Sequence, residues 1–168
     1  NPGGVRTDIA HKEGGAVTYA DLFASQPFRN QLVTMTLTGK QIKDMLEQQW
    51  RDPKRPRILQ VSKGFSYAWD ASKGDGERIV AERMSLNGQT IDPAAGYRVT
   101  VNSFLFAGGD GFTVLTQGAA PKIGVYDVDA LHATWCRQVN RTGHQGHPST
   151  GLARGTRNRE AHLAARQV

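Results

Sequence analysis

Residues 102–112 read Asn-Ser-Phe-Leu-Phe-Ala-Gly-Gly-Asp-Gly-Phe, and they directly follow Tyr-Arg-Val-Thr-Val at 97–101. Alternation of apolar and polar side chains predicts that residues 97–101 form a half-buried strand. Glycine adopts backbone angles that other residues avoid, so residues 108–111 predict a tight turn that allows close backbone approach. The same residues also fit a plain turn with a solvated aspartate, and Phe104 also fits a core aromatic.

Four side chains in or near such turns suit a nucleotide. Asp110 can accept two hydrogen bonds from a vicinal diol, as acidic residues do for ribose in other folds. Phe104 and Phe28 can each stack on a base, which is worth about 1–3 kcal/mol per base. Arg6 follows two glycines and can bind phosphate through two parallel hydrogen bonds. Taken singly, Phe28 also fits its own core and Arg6 also fits an ordinary surface position.

The net charge is concentrated at one end of the chain. The 168 residues carry a charge of +6, yet residues 1–130 hold 15 basic and 14 acidic side chains. Residues 131–168 hold six arginines and one glutamate, so the body gives no argument for nucleic-acid binding. Mean hydropathy is −0.49. No apolar run approaches the roughly 18 residues of a membrane-spanning helix, so we expect no membrane segment.

The first 130 residues predict a mixed α+β domain. Thr18 and Asp21 resemble a capping box, which predicts a short helix to Phe23 or Ala24. After Gly39, apolar residues recur at helical spacing and predict a second helix. The predicted strands are residues 31–38, 58–61, 65–70, 78–86 and 97–101. Arg51, Lys54, Arg55 and Arg57 form a basic cluster between the second helix and these later strands, either a phosphate or RNA patch or a solvated loop.

The sequence changes character after about Ala130. Residues 125–131 resemble the start of a helix, but the periodicity then stops and few large apolar residues follow. Such a composition buries too little surface to offset the entropy of ordering. We therefore predict a basic, non-homologous tail over 131–168 that is disordered from roughly residue 138. Its single cysteine, Cys136, excludes an internal disulfide.

The order of the motifs resembles the 5'-nucleotidase family. The matching stretches are Asn-Pro-Gly-Gly-Val-Arg at 1–6, Gly-Ala-Val-Thr-Tyr-Ala-Asp-Leu at 15–22, Gln-Pro-Phe-Arg-Asn-Gln-Leu at 26–32, Leu-Thr-Gly at 37–39, Leu-Gln-Val-Ser at 59–62 and residues 102–112. The similarity covers about residues 1–130 and is to the C-terminal, substrate-binding domain. It implies a four-layer α/β/β/α domain of mixed sheets with flanking helices, which normally follows a metallophosphoesterase domain.

The resemblance also implies a set of substrate-binding residues. In the family the base lies between two phenylalanines, an aspartate holds the ribose, an arginine binds phosphate, and asparagines lie near the base in different members. The matching positions, together with two glycines of the turn, are Asn1, Arg6, Phe28, Asn30, Phe104, Gly108, Gly109 and Asp110. Pro2 and Arg29 depart from the pattern, and Arg29 either crowds the base or adds a phosphate contact.

The resemblance assigns catalysis to a domain upstream of this sequence. Two divalent metal ions are expected there, held by Asp-x-His and Asn-His-Glu/Asp motifs that do not occur here. His144 and His147 are too few for a structural zinc site, so we expect no metal or other cofactor in this chain. Without metal-activated water or a recognisable nucleophile and base, we also expect no catalytic residue.

Family members hydrolyse nucleoside 5'-phosphates outside the cytoplasm, and some cleave nucleotide sugars or cyclic nucleotides. We therefore expect a fragment of a secreted 5'-nucleotidase-like phosphohydrolase, extracellular, periplasmic or in the cell wall. Its expected partners are an AMP-like nucleotide and the N-terminal metallophosphoesterase domain, and alone it should be inactive. One alternative is a noncatalytic nucleotide- or nucleoside-binding module. Another is a nucleic-acid-binding protein that acts through its basic tail, although we do not expect specific nucleic-acid binding.

Overall fold

A computed structural model describes residues 2–9, 16–141, 152–154 and 165–167. The chain divides into two compact units. The first is built mainly from Val33–Ile123, and the second from Gly3–Leu32 and the segment that begins at Gly124. Helices and largely antiparallel sheets occur together, which confirms the predicted α+β class. Among the described residues, no helix combines the length and apolar character needed to cross a bilayer.

Helices and strands make up the regular elements of the described residues. In order they are β1 (Ala16–Thr18), α1 (Tyr19–Ser25), β2 (Gln31–Thr38), α2 (Gly39–Glu47), β3 (Phe65–Trp69), β4 (Ile79–Leu86), β5 (Gln89–Thr90), β6 (Gly96–Asn102), α3 (Ser103–Phe106), β7 (Ala119–Tyr126), α4 (Asp127–Arg141), β8 (Leu152–Arg154) and β9 (Ala165–Gln167). In the described part of the chain, 3₁₀ turns lie at Pro2–Gly4, Gln48–Trp50, Gly109–Gly111 and Thr113–Gln117.

Local capping fixes where the first two helices begin. The Thr18 hydroxyl accepts a hydrogen bond from the Asp21 N–H, and the Asp21 carboxylate accepts one from the Thr18 N–H (2.8 Å). Thr38 and Gln41 form the same reciprocal pair at the start of α2. Each pair satisfies N–H groups that a helix leaves without partners. The predicted capping box at Thr18 and the predicted helix after Gly39 are therefore confirmed.

Two sheets belong mainly to the first unit. One has the strand order β5-β4-β3-β9, and the other has the order β6-β2-β7. Strands β3 and β4 are antiparallel, with Phe65 opposite Leu86 and Trp69 opposite Ile79, while β9 pairs parallel to β3. In β2 alternate residues from Val33 to Leu37 are buried, as the sequence pattern predicts for a strand with one face in the core.

A single hydrophobic core fills the first unit. Helix α2 directs Ile42, Met45 and Leu46 into it, because these positions lie on one face of the helix. Its buried members are Met35, Leu37, Ile42, Met45, Leu46, Trp50, Leu59, Tyr67, Ile79, Met84, Ile91, Leu105, Phe112 and Leu115. The Glu47 carboxylate accepts hydrogen bonds from the backbone N–H groups of Arg78 and Ile79, which ties α2 to the start of β4.

The second unit has a smaller core of its own. Strand β1 pairs antiparallel with β8, and helix α1 packs against α4. Val17, Leu22 and Val128 are its buried apolar residues. The Tyr19 hydroxyl donates a hydrogen bond to the Asp129 carboxylate (2.8 Å), which links α1 to the first turn of α4.

One strand prediction was wrong, and one strand was missed. Residues 58–61 do not form a strand, because the Leu59 N–H donates to the side-chain oxygen of Gln49 (2.7 Å) and not to a neighbouring strand. Strand β7 was not predicted, since it contains Pro121 and all eight of its residues are exposed. A strand without alternating burial gives no period-two signal in its sequence.

Part of the segment predicted to be disordered is regular in the structure. Helix α4 continues to Arg141, and the short strands β8 and β9 lie further on. These strands form because they pair with β1 and β3, contacts that no local pattern encodes. The rest of the predicted disorder lies outside the described residues.

Candidate functional site

The glycine-rich turn of the first unit begins where β6 passes into α3. The Asn102 side chain accepts a hydrogen bond from the Leu105 N–H (2.9 Å) and so caps α3. The backbone then takes left-handed angles at Gly108 (φ 84°) and Asp110 (φ 57°). Glycine adopts such angles at no steric cost, whereas aspartate adopts them only at a small cost. The predicted tight turn is therefore present, and it contains an acidic residue with an uncommon backbone conformation.

The ring of Phe104 lies against Gly109. A Cβ atom added at Gly109 would lie 2.6 Å from two ring carbons and from the backbone oxygen of Phe104. Leu105 is buried and anchors α3, whereas the Phe104 side chain is 45% exposed. The alternative of a core aromatic at Phe104 therefore does not hold, and the close backbone approach predicted for the turn is made by this ring.

Asp110 forms an ion pair with an arginine of the basic loop. The Arg57 guanidinium donates a hydrogen bond to the Asp110 carboxylate. The side chain of Asp110 is mostly buried, while that of Arg57 is about half exposed. A carboxylate that loses much of its hydration needs a partner of opposite charge, and Arg57 supplies it.

This ion pair lies in a pocket with a volume of about 320 Å³. The lining residues are Gln48, Gln49, Arg51, Asp52, Arg55, Arg57 and Asp110. Three of the four members of the basic cluster therefore line the same pocket as the aspartate of the glycine-rich turn. Lys54, the fourth member, does not line the pocket.

A buried glutamine holds the basic loop in place. The backbone oxygen of Gln49 accepts a hydrogen bond from the Arg57 N–H (2.8 Å), and its side-chain oxygen accepts one from the Leu59 N–H. The Tyr67 hydroxyl donates to the same side-chain oxygen (3.1 Å). Burial raises the pKa of the Tyr67 phenol, against the lowering effect of its hydrogen bond to Gln49. The phenol therefore stays protonated at neutral pH, and Gln49 joins the loop to β3.

A second set of contacts fixes the other side of the pocket. The Gln48 amide donates to the Thr113 hydroxyl (2.8 Å), and its oxygen accepts from the Val114 N–H (3.2 Å). Arg51 donates to the backbone oxygen of Gly111 (3.4 Å). The turn after α2 is therefore tied to the residues that directly follow Asp110.

In the second unit, Arg6 and Phe28 contact each other. The Phe28 ring is 42% exposed, which excludes the alternative that it packs into its own core. The guanidinium carbon of Arg6 lies over this ring, 4.8 Å from its centroid. The Arg6 N–H donates to the Ser25 oxygen (2.9 Å), so the segment before Arg6 is held beside the loop that follows α1.

The neighbouring residues of that loop have partners as well. Arg29 has a left-handed backbone (φ 51°), and its guanidinium lies 5.7 Å from the centroid of the Tyr126 ring. The backbone oxygen of Asn30 accepts a hydrogen bond from the Asp127 N–H (2.8 Å). Asn1 lies outside the described residues.

The predicted site residues therefore form two groups. In the first unit, Phe104 of α3 lies next to Gly108, Gly109 and Asp110 of the following turn. In the second unit, Arg6, Phe28 and Asn30 lie close together. Sequence reasoning recognised the basic cluster but not its pairing with Asp110, and it missed Gln49 as the residue that positions the loop. The arginines that cluster after α2 in the sequence were the available signal for the pairing with Asp110. Nothing local in the sequence marks Gln49.

The described residues do not fit a metal centre. No group of three or more histidine, cysteine, aspartate or glutamate side chains among residues 2–9, 16–141, 152–154 and 165–167 is placed to hold a metal ion. The pair of divalent ions expected from the resemblance stays a prediction for a domain upstream of this sequence. His144 and His147 lie outside the described residues.

Comparison with known sequences identifies relatives over most of the chain. A family model described as "5'-nucleotidase, C-terminal domain" matches residues 1–117. An apyrase from Tabanus yao is 32% identical over 143 residues, which is 78% of this chain and 25% of that protein. A 5'-nucleotidase from Vibrio vulnificus is 34% identical, covering 69% of this chain and 19% of that protein. A cell wall protein from Listeria monocytogenes is 33% identical over 70% of this chain and 15% of its own length.

Solved structures agree with this assignment. A 5'-nucleotidase precursor from Thermus thermophilus aligns with a TM-score of 0.59 and 37% identity, over 70% of this chain and 24% of that one. The NAD nucleotidase of Haemophilus influenzae aligns with a TM-score of 0.68 at 22% identity, over 82% of this chain and 26% of that one, which shows a shared fold. The chain thus spans about a quarter or less of the length of these relatives.

Proposed function

Because the chain belongs to the 5'-nucleotidase family and carries its C-terminal domain, we propose that it binds the nucleoside 5'-phosphate substrate of a phosphohydrolase. In this proposal the base stacks on Phe28 and Phe104, Asp110 accepts hydrogen bonds from the ribose hydroxyls, and Arg6 binds the phosphate. Asn1 and Asn30 contribute polar groups near the base.

One observation carries the proposal. Phe104, which is 45% exposed, lies in α3, and its ring packs against Gly109 in the turn that holds Asp110. An exposed phenylalanine ring does not gain the free energy of burial unless a partner covers it. The flat face of a base is such a partner. The exposed ring of Phe28 beside Arg6 offers the second platform together with a positive charge suited to phosphate.

The chemical step belongs, in this proposal, to a metallophosphoesterase domain upstream of this sequence. The contribution of the present chain is to hold the nucleotide in a fixed position, which supplies a large part of catalysis in reactions of this type. The chain alone should then release no phosphate from AMP above background, with or without Mn²⁺. Phosphate release by the purified chain that is lost in Phe104→Leu would contradict this division of roles.

We further propose that the whole protein acts outside the cytoplasm, in the cell wall, the periplasm or the medium. The support is the similarity to the Listeria cell wall protein. Fractionation of the source organism with an antibody against this chain tests it, and recovery in the cytosolic fraction alone would contradict it.

Binding is tested by calorimetric titration of AMP into the chain. Each substitution Phe28→Leu and Phe104→Leu should weaken binding by about 1–3 kcal/mol, roughly 5- to 150-fold in Kd, because one stacking platform is lost. Tyr19→Leu is the matched control, since Tyr19 is a 44% exposed aromatic of the second unit outside the proposed site. If AMP binds both phenylalanine variants as tightly as the wild type, the stacking proposal fails.

A further inference from the structure

The basic loop after α2 and the aspartate of the glycine-rich turn line one pocket. Binding of a nucleotide with a single 5'-phosphate does not explain why arginines lie beside this aspartate. Arg51, Arg55 and Arg57 line the pocket together with Asp52 and Asp110. Three positive and two negative side chains leave the lining with a net positive charge. A pocket of this charge favours an anionic ligand group.

The ion pair with Arg57 lowers the repulsion between the Asp110 carboxylate and a nearby anion. A bare carboxylate would repel a phosphate group brought close to it. The guanidinium of Arg57 is hydrogen-bonded to that carboxylate and so offsets its charge. A phosphate beside Asp110 therefore meets arginine donors as well as a paired carboxylate, and guanidinium groups bind phosphate with matched geometry.

The fold holds two of these arginines, Arg51 and Arg57, through hydrogen bonds. The buried Gln49 accepts hydrogen bonds from the backbone of Arg57 and Leu59, and Arg51 donates to the Gly111 oxygen. A loop fixed at both ends presents its charges at a defined place, so less ordering entropy is lost when a ligand binds. The backbone of the basic loop is therefore held at both ends, while its residues 51–57 are exposed to solvent.

We propose that this pocket accepts a second phosphate group, esterified to the 2'- or 3'-hydroxyl of the nucleotide ribose. The inference rests on the proposed function, in which Asp110 contacts the ribose hydroxyls. A phosphate on either hydroxyl would then lie at Asp110, inside the pocket of about 320 Å³ that the arginines line. The preferred ligand class is a nucleoside bisphosphate with one phosphate at the 5' position and one at the 2' or 3' position.

The test compares four titrants by calorimetry on the full chain at fixed ionic strength. They are AMP, adenosine 3',5'-bisphosphate, adenosine 2',5'-bisphosphate and inorganic phosphate. At least one bisphosphate should bind ten-fold or more tightly than AMP. The readout is the ratio of the Kd for AMP to the Kd for the bisphosphate, which cancels any effect common to both ligands.

A double variant and a matched control test whether the tighter binding of the bisphosphate depends on this pocket. Arg51→Gln combined with Arg55→Gln should reduce that ratio at least five-fold, because two of the phosphate donors are lost. Lys54→Gln removes the same kind of charge from the same loop but does not line the pocket, so it should leave the ratio unchanged.

Each outcome separates the two proposals. AMP binding with no tighter binding of either bisphosphate overturns the second-phosphate site and leaves the proposed function standing. A tighter bisphosphate whose ratio survives in the double variant, or falls equally in Lys54→Gln, also overturns it, because the gain is then not made in this pocket. Binding of inorganic phosphate that leaves the ratio at one assigns the pocket to free anions instead. Absence of binding by all four titrants contradicts both proposals.

Discussion

The guanidinium of Arg6 covers a face of the Phe28 ring, with its central carbon 4.8 Å from the ring centroid. A cation in this position is attracted by the ring, which is worth about 0.5–1 kcal/mol at an exposed site. The two residues proposed to meet the phosphate and the base are therefore in contact with each other. A base that stacks on the covered face has to displace the guanidinium, and this leaves Arg6 able to reach a phosphate.

Replacing Arg6 tests this relationship. Arg6→Gln should raise the Kd for AMP by about ten-fold or more, because a charge-assisted hydrogen bond to phosphate is worth about 1.5–3 kcal/mol. The Kd for adenosine, which has no phosphate, should change much less. Calorimetric titration with the two ligands gives both values.

The control for this charge change is Arg98→Gln, an exposed arginine on β6. It should alter neither Kd beyond a small salt-dependent effect. An equal loss for AMP and adenosine in Arg6→Gln would assign Arg6 to the support of Phe28 and not to phosphate binding.

The close contact between Gly109 and Phe104 predicts a loss of stability in Gly109→Ala. The added methyl group would overlap the ring and the backbone oxygen of Phe104, at a cost of about 1–3 kcal/mol in the free energy of unfolding. Urea unfolding measures this loss. Gly74→Ala is the matched control, because a Cβ at Gly74 meets nothing within 4 Å. Equal stability of the two variants would mean that the Phe104 ring and its backbone oxygen both have room to move away.

Replacing the buried Gln49 should lower the free energy of unfolding even when the new side chain has the same volume. Gln49→Met keeps the volume but leaves the Leu59 N–H and the Tyr67 hydroxyl without their shared acceptor. An unsatisfied buried polar group costs about 1–3 kcal/mol, which chemical denaturation can measure. Gln60→Met, at an exposed position of the same loop, should be close to neutral. A neutral Gln49→Met would show that the basic loop does not depend on this network.

The raised pKa of the Tyr67 phenol predicts that the free energy of unfolding falls at high pH. Its pKa is raised in the folded protein by burial, so the unfolded chain releases the phenol proton first as the pH rises past about 10. The stability from the protonated phenol is complete below that pH and is lost as the pH rises through the folded pKa. The stability difference between wild type and Tyr67→Phe, measured by urea unfolding, should therefore shrink as the pH is raised from about 10 to about 11. A difference that stays constant over this range would contradict the assignment.

Several parts of the molecule could be predicted because their causes are local. The capping residues Thr18 and Asp21 lie three positions apart, and the alternation in β2 and β6 reports burial of one face directly. The tight turn before Asp110 follows from the conformational freedom of glycine. Strand β7 was missed for the opposite reason, since it has no buried face to leave a pattern.

The sequence by itself determined the helix starts, most of the strands, the family motifs and the candidate nucleotide residues, because each depends on neighbours along the chain or on a motif of fixed spacing. Only the tertiary structure decided that Arg57 pairs with Asp110, because the two residues are 53 positions apart in the sequence. It also decided that Gln49 positions the basic loop and that Arg6 covers Phe28. Such contacts arise when distant segments pack together, and burial then determines which polar groups must find a partner.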